Sequence, residues 1–266
     1  MSYVAYRTNQ KLQIDGRLDE KAWELAPKSP RFVDIVNGEP ALYDTRTAVL
    51  WDDDYLYVGF WVEEPYVQAK ITERDEPIFS ENNVEVFIDG GDTYYEFEIN
   101  ALNTIYEVFF IWKNAYEQGG KYDVPEFNVH KSGAYTFGGN HDRIDEHFWK
   151  GTHPRGTRWA FTDWDFSGLK TAVHIDGEIN NKSKVDKGWT VELAFPWSGM
   201  KWLANGRSLP PKDGDQWDFQ FARYEKLIGL DKNVGWAWDP TYSDDNHKPE
   251  KFTPIQFSDK NVEDFE

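Results

Sequence analysis

The chain contains no cysteine, which excludes disulfides and thiolate metal sites and leaves the redox compartment open. Methionine is nearly missing too, with only Met1 and Met200 present. A haem site built on a Met and His axial pair therefore has little to draw on. No apolar run reaches the length of a membrane span, so membrane insertion is not expected. The start, Met1-Ser2-Tyr3-Val4, lacks the apolar segment of a signal peptide. That predicts a cytoplasmic protein, or a secreted or periplasmic one whose leader has been removed. Basic residues are outnumbered, 29 Lys and Arg against 47 Asp and Glu, for a net charge of -18. An acid excess spread along the chain repels polyanions, which makes nucleic acid and anionic membrane poor partners. Linkers rich in Pro or Ser are absent and composition does not shift, so the 266 residues are expected to form one domain, 1–266. Nothing in the pattern specifies an oligomeric state.

What the chain has in excess is aromatic rings, at 17% of residues with 13 Trp and 14 Tyr. A core of this size needs only a few tryptophans, so some rings are expected in grooves or on surfaces where they meet ligands. Trp51 and Trp61, inside strong strand patterns, are expected in the core.

The alternation of residue types predicts strands in series. In Tyr55 to Val62 both faces are apolar, as in a strand buried between layers. Next, Val84, Val86 and Ile88 form an apolar face opposed by Asn83, Glu85, Phe87 and Asp89. Tyr95, Phe97 and Ile99 are likewise opposed by Tyr94, Glu96, Glu98 and Asn100, and Gly90-Gly91-Asp92 supplies the hairpin turn. Further strands are expected at Tyr3 to Arg7, Thr104 to Trp112, Lys170 to Ile175, Trp189 to Phe195, Trp217 to Glu225 and Phe252 to Phe257. Leu18, Ala22 and Leu25 share a helical face that Pro27 terminates, and Pro196 opens a helical turn. From 113 to 164 the pattern dissolves into Gly, His, Asn and charged residues, an irregular insertion long enough to suggest a functional or mobile role. Many short strands with little helix predict an all-β, two-sheet antiparallel β-sandwich with one or two short helices.

Six segments in order carry a resemblance to a known family: Ile14-Asp15-Gly16-Arg17-Leu18-Asp19-Glu20-Lys21-Ala22-Trp23, Leu50-Trp51-Asp52-Asp53-Asp54-Tyr55-Leu56-Tyr57-Val58, Asn83-Val84-Glu85-Val86-Phe87-Ile88-Asp89, Tyr95-Glu96-Phe97-Glu98-Ile99-Asn100, Gly188-Trp189-Thr190-Val191-Glu192 and Pro249-Glu250-Lys251-Phe252. Together they resemble the family 9 carbohydrate-binding modules and the wider group of DOMON-like sandwiches. The resemblance implies non-catalytic saccharide binding on one face of the sandwich, an association with polysaccharide catabolism, and a structural calcium ion in addition to a fold that requires no cofactor. In this family a terminal sugar lies between two tryptophans while a strand glutamate and an arginine bond its hydroxyls. The glutamate aligns with Glu85. The first tryptophan falls at Phe79, a stacking ring without the indole donor. The arginine falls at Glu98, with its charge reversed, and the second tryptophan near Asn246 or His247.

Sugars are held by aromatic rings under their C–H faces and by carboxylates, amides and guanidinium groups on their hydroxyls. Glu85, Glu98 and Arg223 are candidates to converge on one face, with Arg223 keeping the carboxylates ionised; a structural ion network is the equal alternative. Trp238, Asn246 and His247 complete the rim. Trp149 or Trp164, from the irregular segment, is a candidate replacement for the second tryptophan, against the alternative that these rings pin the insertion to the body. Two other functions remain in view: a glycosidase using Glu85 and Glu98, and a DOMON-like binder of haem or another small ligand. His130, His141, His147 and His153 do not have metal-ligand spacing, and Asp52, Asp53 and Asp54 read as turn chemistry before they read as calcium ligands.

Overall fold

A computed structural model describes residues 3–138, 153–230 and 233–265. The strands are β1 (Tyr3–Arg7), β2 (Val33–Asp34), β3 (Thr45–Trp51), β4 (Tyr55–Glu63), β5 (Asn83–Asp89), β6 (Thr93–Ile99), β7 (Ile105–Trp112), β8 (Ala134–Phe137), β9 (Arg158–Phe161), β10 (Lys170–Asp176), β11 (Gly188–Pro196), β12 (Gln216–Glu225), β13 (Val234–Ala237) and β14 (Thr253–Asn261). Hydrogen bonds order them β10-β11-β4-β3-β1-β14-β12-β5-β6-β7-β9-β8, with β13 and β2 branching from β12. The ladders are antiparallel except around β1, which runs parallel to both β3 and β14 and so joins two layers.

The layers close face to face because alternate residues of β5, β6, β7 and β12 meet those of β4 and β11. Val84, Val86, Phe97, Phe109 and Phe221 share one core with Val58, Phe60, Val191 and Phe195. Rings cross the interior edge to face, Phe60 against Phe221 at 6.0 Å and Phe97 against Phe195 at 5.7 Å. The architecture is the all-β sandwich expected.

Three local details depart from the sequence pattern. The helix α1 is only Lys21–Leu25, because the residues before it are captured elsewhere. Glu192 accepts the backbone N–H groups of Asp15 and Gly16 at 2.9 and 3.1 Å and the Trp23 indole N–H at 2.9 Å. Gly16, at φ +85°, lets this turn press against β10, where a Cβ would lie 2.7 Å from the Val173 carbonyl carbon. The second departure lies in the 113–164 segment, which contains β8 and β9 and widens the sheet beyond β7. Each has four residues, too few for alternation to stand out from the surrounding loop residues. Phe127, Phe161 and Trp164 tie the segment to the main core. The third is Trp61. Trp51 is fully buried as expected, but Trp61 is half-buried against a satellite cluster that includes Trp23, on the outward face of β4.

Candidate functional site

Strand register decides which polar residues share a face, because residues directly opposite one another in an antiparallel ladder point the same way. Ala222, Glu85, Glu98 and Tyr106 form one row across β12, β5, β6 and β7. The next row runs Gln220, Phe87, Glu96 and Val108. All lie on the outward face of the second layer.

Residues 241–248 fold over these rows. Thr241 Oγ1 donates to the Ser243 carbonyl at 3.0 Å, and the His247 N–H donates to Asp245 Oδ1 at 2.9 Å, which brings Asn246 and His247 down onto the sheet. Asn246 Nδ2 donates to Glu85 Oε2 at 3.2 Å. His247 contacts Tyr94 OH through Nδ1 at 3.1 Å and Glu96 through Nε2 at 3.5 Å. Its ring lies among Phe87, Phe110 and Phe137. At the edge of the row Phe79 is half exposed, its ring edge to face with Tyr106 at 5.7 Å, and its backbone N–H bonds Glu98. Phe79, Glu85, Glu98, Asn246 and His247 are thus brought together.

The electrostatics follow from burial. Glu85, Glu96 and Glu98 are 2%, 6% and 1% exposed. Loss of water pushes the Glu85 carboxyl up to about 8, the Asn246 hydrogen bond opposing and Asp245 reinforcing the shift. Burial first, and Glu85 next, push Glu96 and Glu98 well above the usual carboxylate range. The cluster therefore retains protons near neutrality, and a protonated carboxyl donates as well as accepts. Arg158, fully buried on β9, is the cation that favours ionisation of Glu96. Its guanidinium bonds the His247 carbonyl at 2.7 Å and lies over the Trp112 ring at 4.4 Å. Among the described residues, the buried acceptors without a hydrogen-bond partner include Glu98 Oε2 and Asn246 Oδ1.

The remaining candidates go elsewhere. Arg223 opposes Val84, so it points away from Glu85 into the space between the layers. There it bonds Glu225 at 2.6 Å, Thr45 Oγ1 at 2.9 Å and the Glu63 carbonyl at 2.9 Å, with Glu64 at 3.6 Å. The parity of β12 makes this unavoidable, since residues 222 and 223 point to opposite faces. Arg223 is thus part of a buried ion network. Trp238 packs in the core against Phe221 and Tyr3 at 5.5 and 4.9 Å. Trp164 is equally buried, 4.7 Å from Phe109, with its indole N–H bonded to Glu126, so it anchors the insertion and leaves no face for a ligand. Trp149 lies outside the described residues.

Sequence reasoning missed Tyr106, Glu96, Asp245 and Arg158. Tyr106 was legible in principle as the register partner of Glu98. Arg158 was not, because nothing local marks its short strand.

The residues weighed for calcium and for haem have other partners in the fold. Asp52 Oδ1 accepts the N–H groups of Asp54 and Tyr55 and Oδ2 accepts Tyr57 OH, while Asp53 pairs with Arg7. These oxygens serve the turn and do not form a calcium cage. Met200 is packed among the hydrophobic residues of the sandwich core, and Met1 lies outside the described residues.

A model of the family described as carbohydrate family 9 binding domain-like matches residues 14–152, just over half of the chain. Among solved structures, a candidate carbohydrate-binding protein from Bacteroides uniformis aligns with a TM-score of 0.60 at 14% identity, covering 97% of this chain and 99% of that one. A family 9 carbohydrate-binding module from Caldicellulosiruptor kristjanssonii, solved with cellotriose, aligns with a TM-score of 0.53 at 13% identity, covering 97% and 94%. At such identity the likeness establishes the fold. No curated protein matches the chain.

Proposed function

The chain belongs to the carbohydrate family 9 binding domain-like family, and from that premise we propose that it binds a saccharide without cleaving it, on the face that carries Glu85, Glu98 and Asn246. The observation that carries this reading is that the buried acceptors Glu98 Oε2 and Asn246 Oδ1, which have no hydrogen-bond partner among the described residues, flank Glu85 beside the half-exposed ring of Phe79. A buried acceptor without a donor costs about 1–3 kcal/mol. Sugar hydroxyls supply such donors, while Phe79 and Tyr106 offer rings to the C–H face. Because Glu85, Glu98 and Asn246 are only 2%, 1% and 2% exposed, entry requires residues 241–248 to shift outward. The cellotriose held by the related module makes a cello-oligosaccharide the first ligand to try, and an association with polysaccharide breakdown belongs to the same proposal.

Hydrolysis is disfavoured by the direction of the carboxyl shifts. A glycosidase needs one protonated and one ionised acid, their pKa values pushed apart. Here Glu85, Glu96 and Glu98 all move up, which does not push an acid and a base apart among these three.

The test is calorimetric titration of the intact protein with cellotriose, together with Glu85→Gln and Asn246→Ala. Binding weakened at least about tenfold by each change, in variants that keep the native circular dichroism, supports the reading. Affinity unchanged in both variants, or release of glucose during incubation, overturns it.

A further inference from the structure

An open groove lies on the other layer, away from the Glu85 face. It measures about 420 Å³ and is lined by residues of β3, β4, β10 and β11 together with Arg17, a volume within the range of small-ligand sites. One row of side chains forms its floor: Arg46, Trp61, Thr190 and His174 stand directly opposite one another across the four strands. Lys28 Nζ lies 3.8 Å from the Trp61 ring centre but is not part of the groove lining.

The hydrogen-bonding state of the walls identifies the ligand class. The acids are already engaged: Asp44 with Arg46 Nε at 2.8 Å, Glu63 with the Asp44 N–H at 2.7 Å, and Asp176 with Lys187 at 2.9 Å. The Arg17 side chain and the His174 ring, by contrast, have no hydrogen-bond or ionic partner among the described residues. Cations and acids balance in the lining, three of each besides His174, so the groove escapes the strong negative charge of the chain. The backbone next to Arg17 is also fixed. Its turn is fixed by the two N–H bonds to Glu192, by Thr190 Oγ1 donating to the Gly16 carbonyl, and by the close approach of Gly16 to β10. A guanidinium with unused donors in the same groove as an indole calls for a ligand that brings a carboxylate and an apolar ring face together.

The geometry points to a second binding site, distinct from the Glu85 face, in which Trp61 and Arg17 hold a uronate-bearing oligosaccharide, the sugar ring against Trp61 and its carboxylate on Arg17. His174 and Arg46 flank the same groove and offer donors to the hydroxyls. This site goes beyond the binding proposed at Glu85 and does not depend on it.

Calorimetric titration with trigalacturonate, using cellotriose as the neutral comparator, tests it on the intact protein and on Arg17→Glu, Trp61→Ala and Glu85→Gln. One trigalacturonate per chain is expected, weakened at least about tenfold by Arg17→Glu and by Trp61→Ala and unchanged by Glu85→Gln. Arg17 is exposed on its turn, so Arg17→Glu decides the matter if Trp61→Ala fails to fold. The proposal is overturned by absence of trigalacturonate binding, by undiminished binding in Arg17→Glu, by loss of binding in Glu85→Gln, or by cellotriose competing for the groove with equal affinity. Loss of cellotriose binding in Glu85→Gln alone bears only on the first site.

Discussion

Glu98 stands directly opposite Glu85 on neighbouring strands, and the fold keeps this like pair away from water, 1% and 2% exposed. Two ionised carboxylates in such a position would repel strongly. Burial favours the protonated form of both, and for Glu98 the neighbouring Glu85 adds to it; a protonated pair is a hydrogen-bonding surface for hydroxyl groups.

That protonation has a consequence for stability. The Glu85 carboxyl rises from 4.5 to about 8 on folding, so between these values the folded state binds more protons than the unfolded chain. The Glu85 contribution is fully present below about pH 4.5 and is lost as pH rises through about 8, with Glu96 and Glu98 acting in the same direction. Urea midpoints measured from pH 5 to 8 are expected to fall, and Glu85→Gln to flatten the fall. An identical pH profile in the variant contradicts the assignment.

Phe79 separates binding from stability. Its ring is 50% exposed, so Phe79→Ala should change unfolding free energy by no more than about 0.5 kcal/mol. Loss of the stacking ring should weaken cellotriose by about 0.5–1.5 kcal/mol. Thermal unfolding and calorimetry check the two halves separately, and an unaltered affinity would remove Phe79 from the site.

Arg223 should show the opposite behaviour. Arg223→Ala leaves Glu225 and Glu64 buried without their cation, a loss expected to cost about 3–5 kcal/mol. Denaturant unfolding measures this, and a cost below about 1 kcal/mol would show that the network is dispensable.

Trp164 anchors the long insertion. Trp164→Ala should destabilise by about 3–5 kcal/mol through the cavity between Phe109, Tyr95 and Phe166. Trp164→Phe, which retains a ring, should recover much of it. If Trp164→Ala unfolds at the wild-type denaturant midpoint but loses cellotriose, the ring belongs to the ligand after all.

Much of the fold was legible because period-two alternation is a local property. Val84, Val86 and Ile88 against Asn83, Glu85 and Phe87 declare a strand and its two faces without reference to any neighbour. The strands β8 and β9 escaped because four residues are too few for alternation to emerge from a loop rich in glycine and charge. The site was legible in part. Phe79, Glu85, Glu98, Asn246 and His247 do meet, whereas Trp238 and Trp164 are core rings, and a tryptophan's sequence surroundings do not distinguish a platform from a filler. Trp61 reversed the error: its strand looked buried on both faces, yet it lines a groove.

The sequence by itself determined the strand order's raw material, the face each acid occupies on its own strand, and the exclusion of disulfide and thiolate chemistry, all properties carried by composition and short-range periodicity. Only the tertiary structure decided which faces look the same way. Glu85 and Glu98 share a face with Asn246 because two ladders and the 241–248 segment bring them together, while Arg223, one position away from the same face in the ladder, is turned inward to Glu225. The physical reason is that a strand fixes the alternation of its own side chains, but pairing register and layer closure fix what each side chain meets.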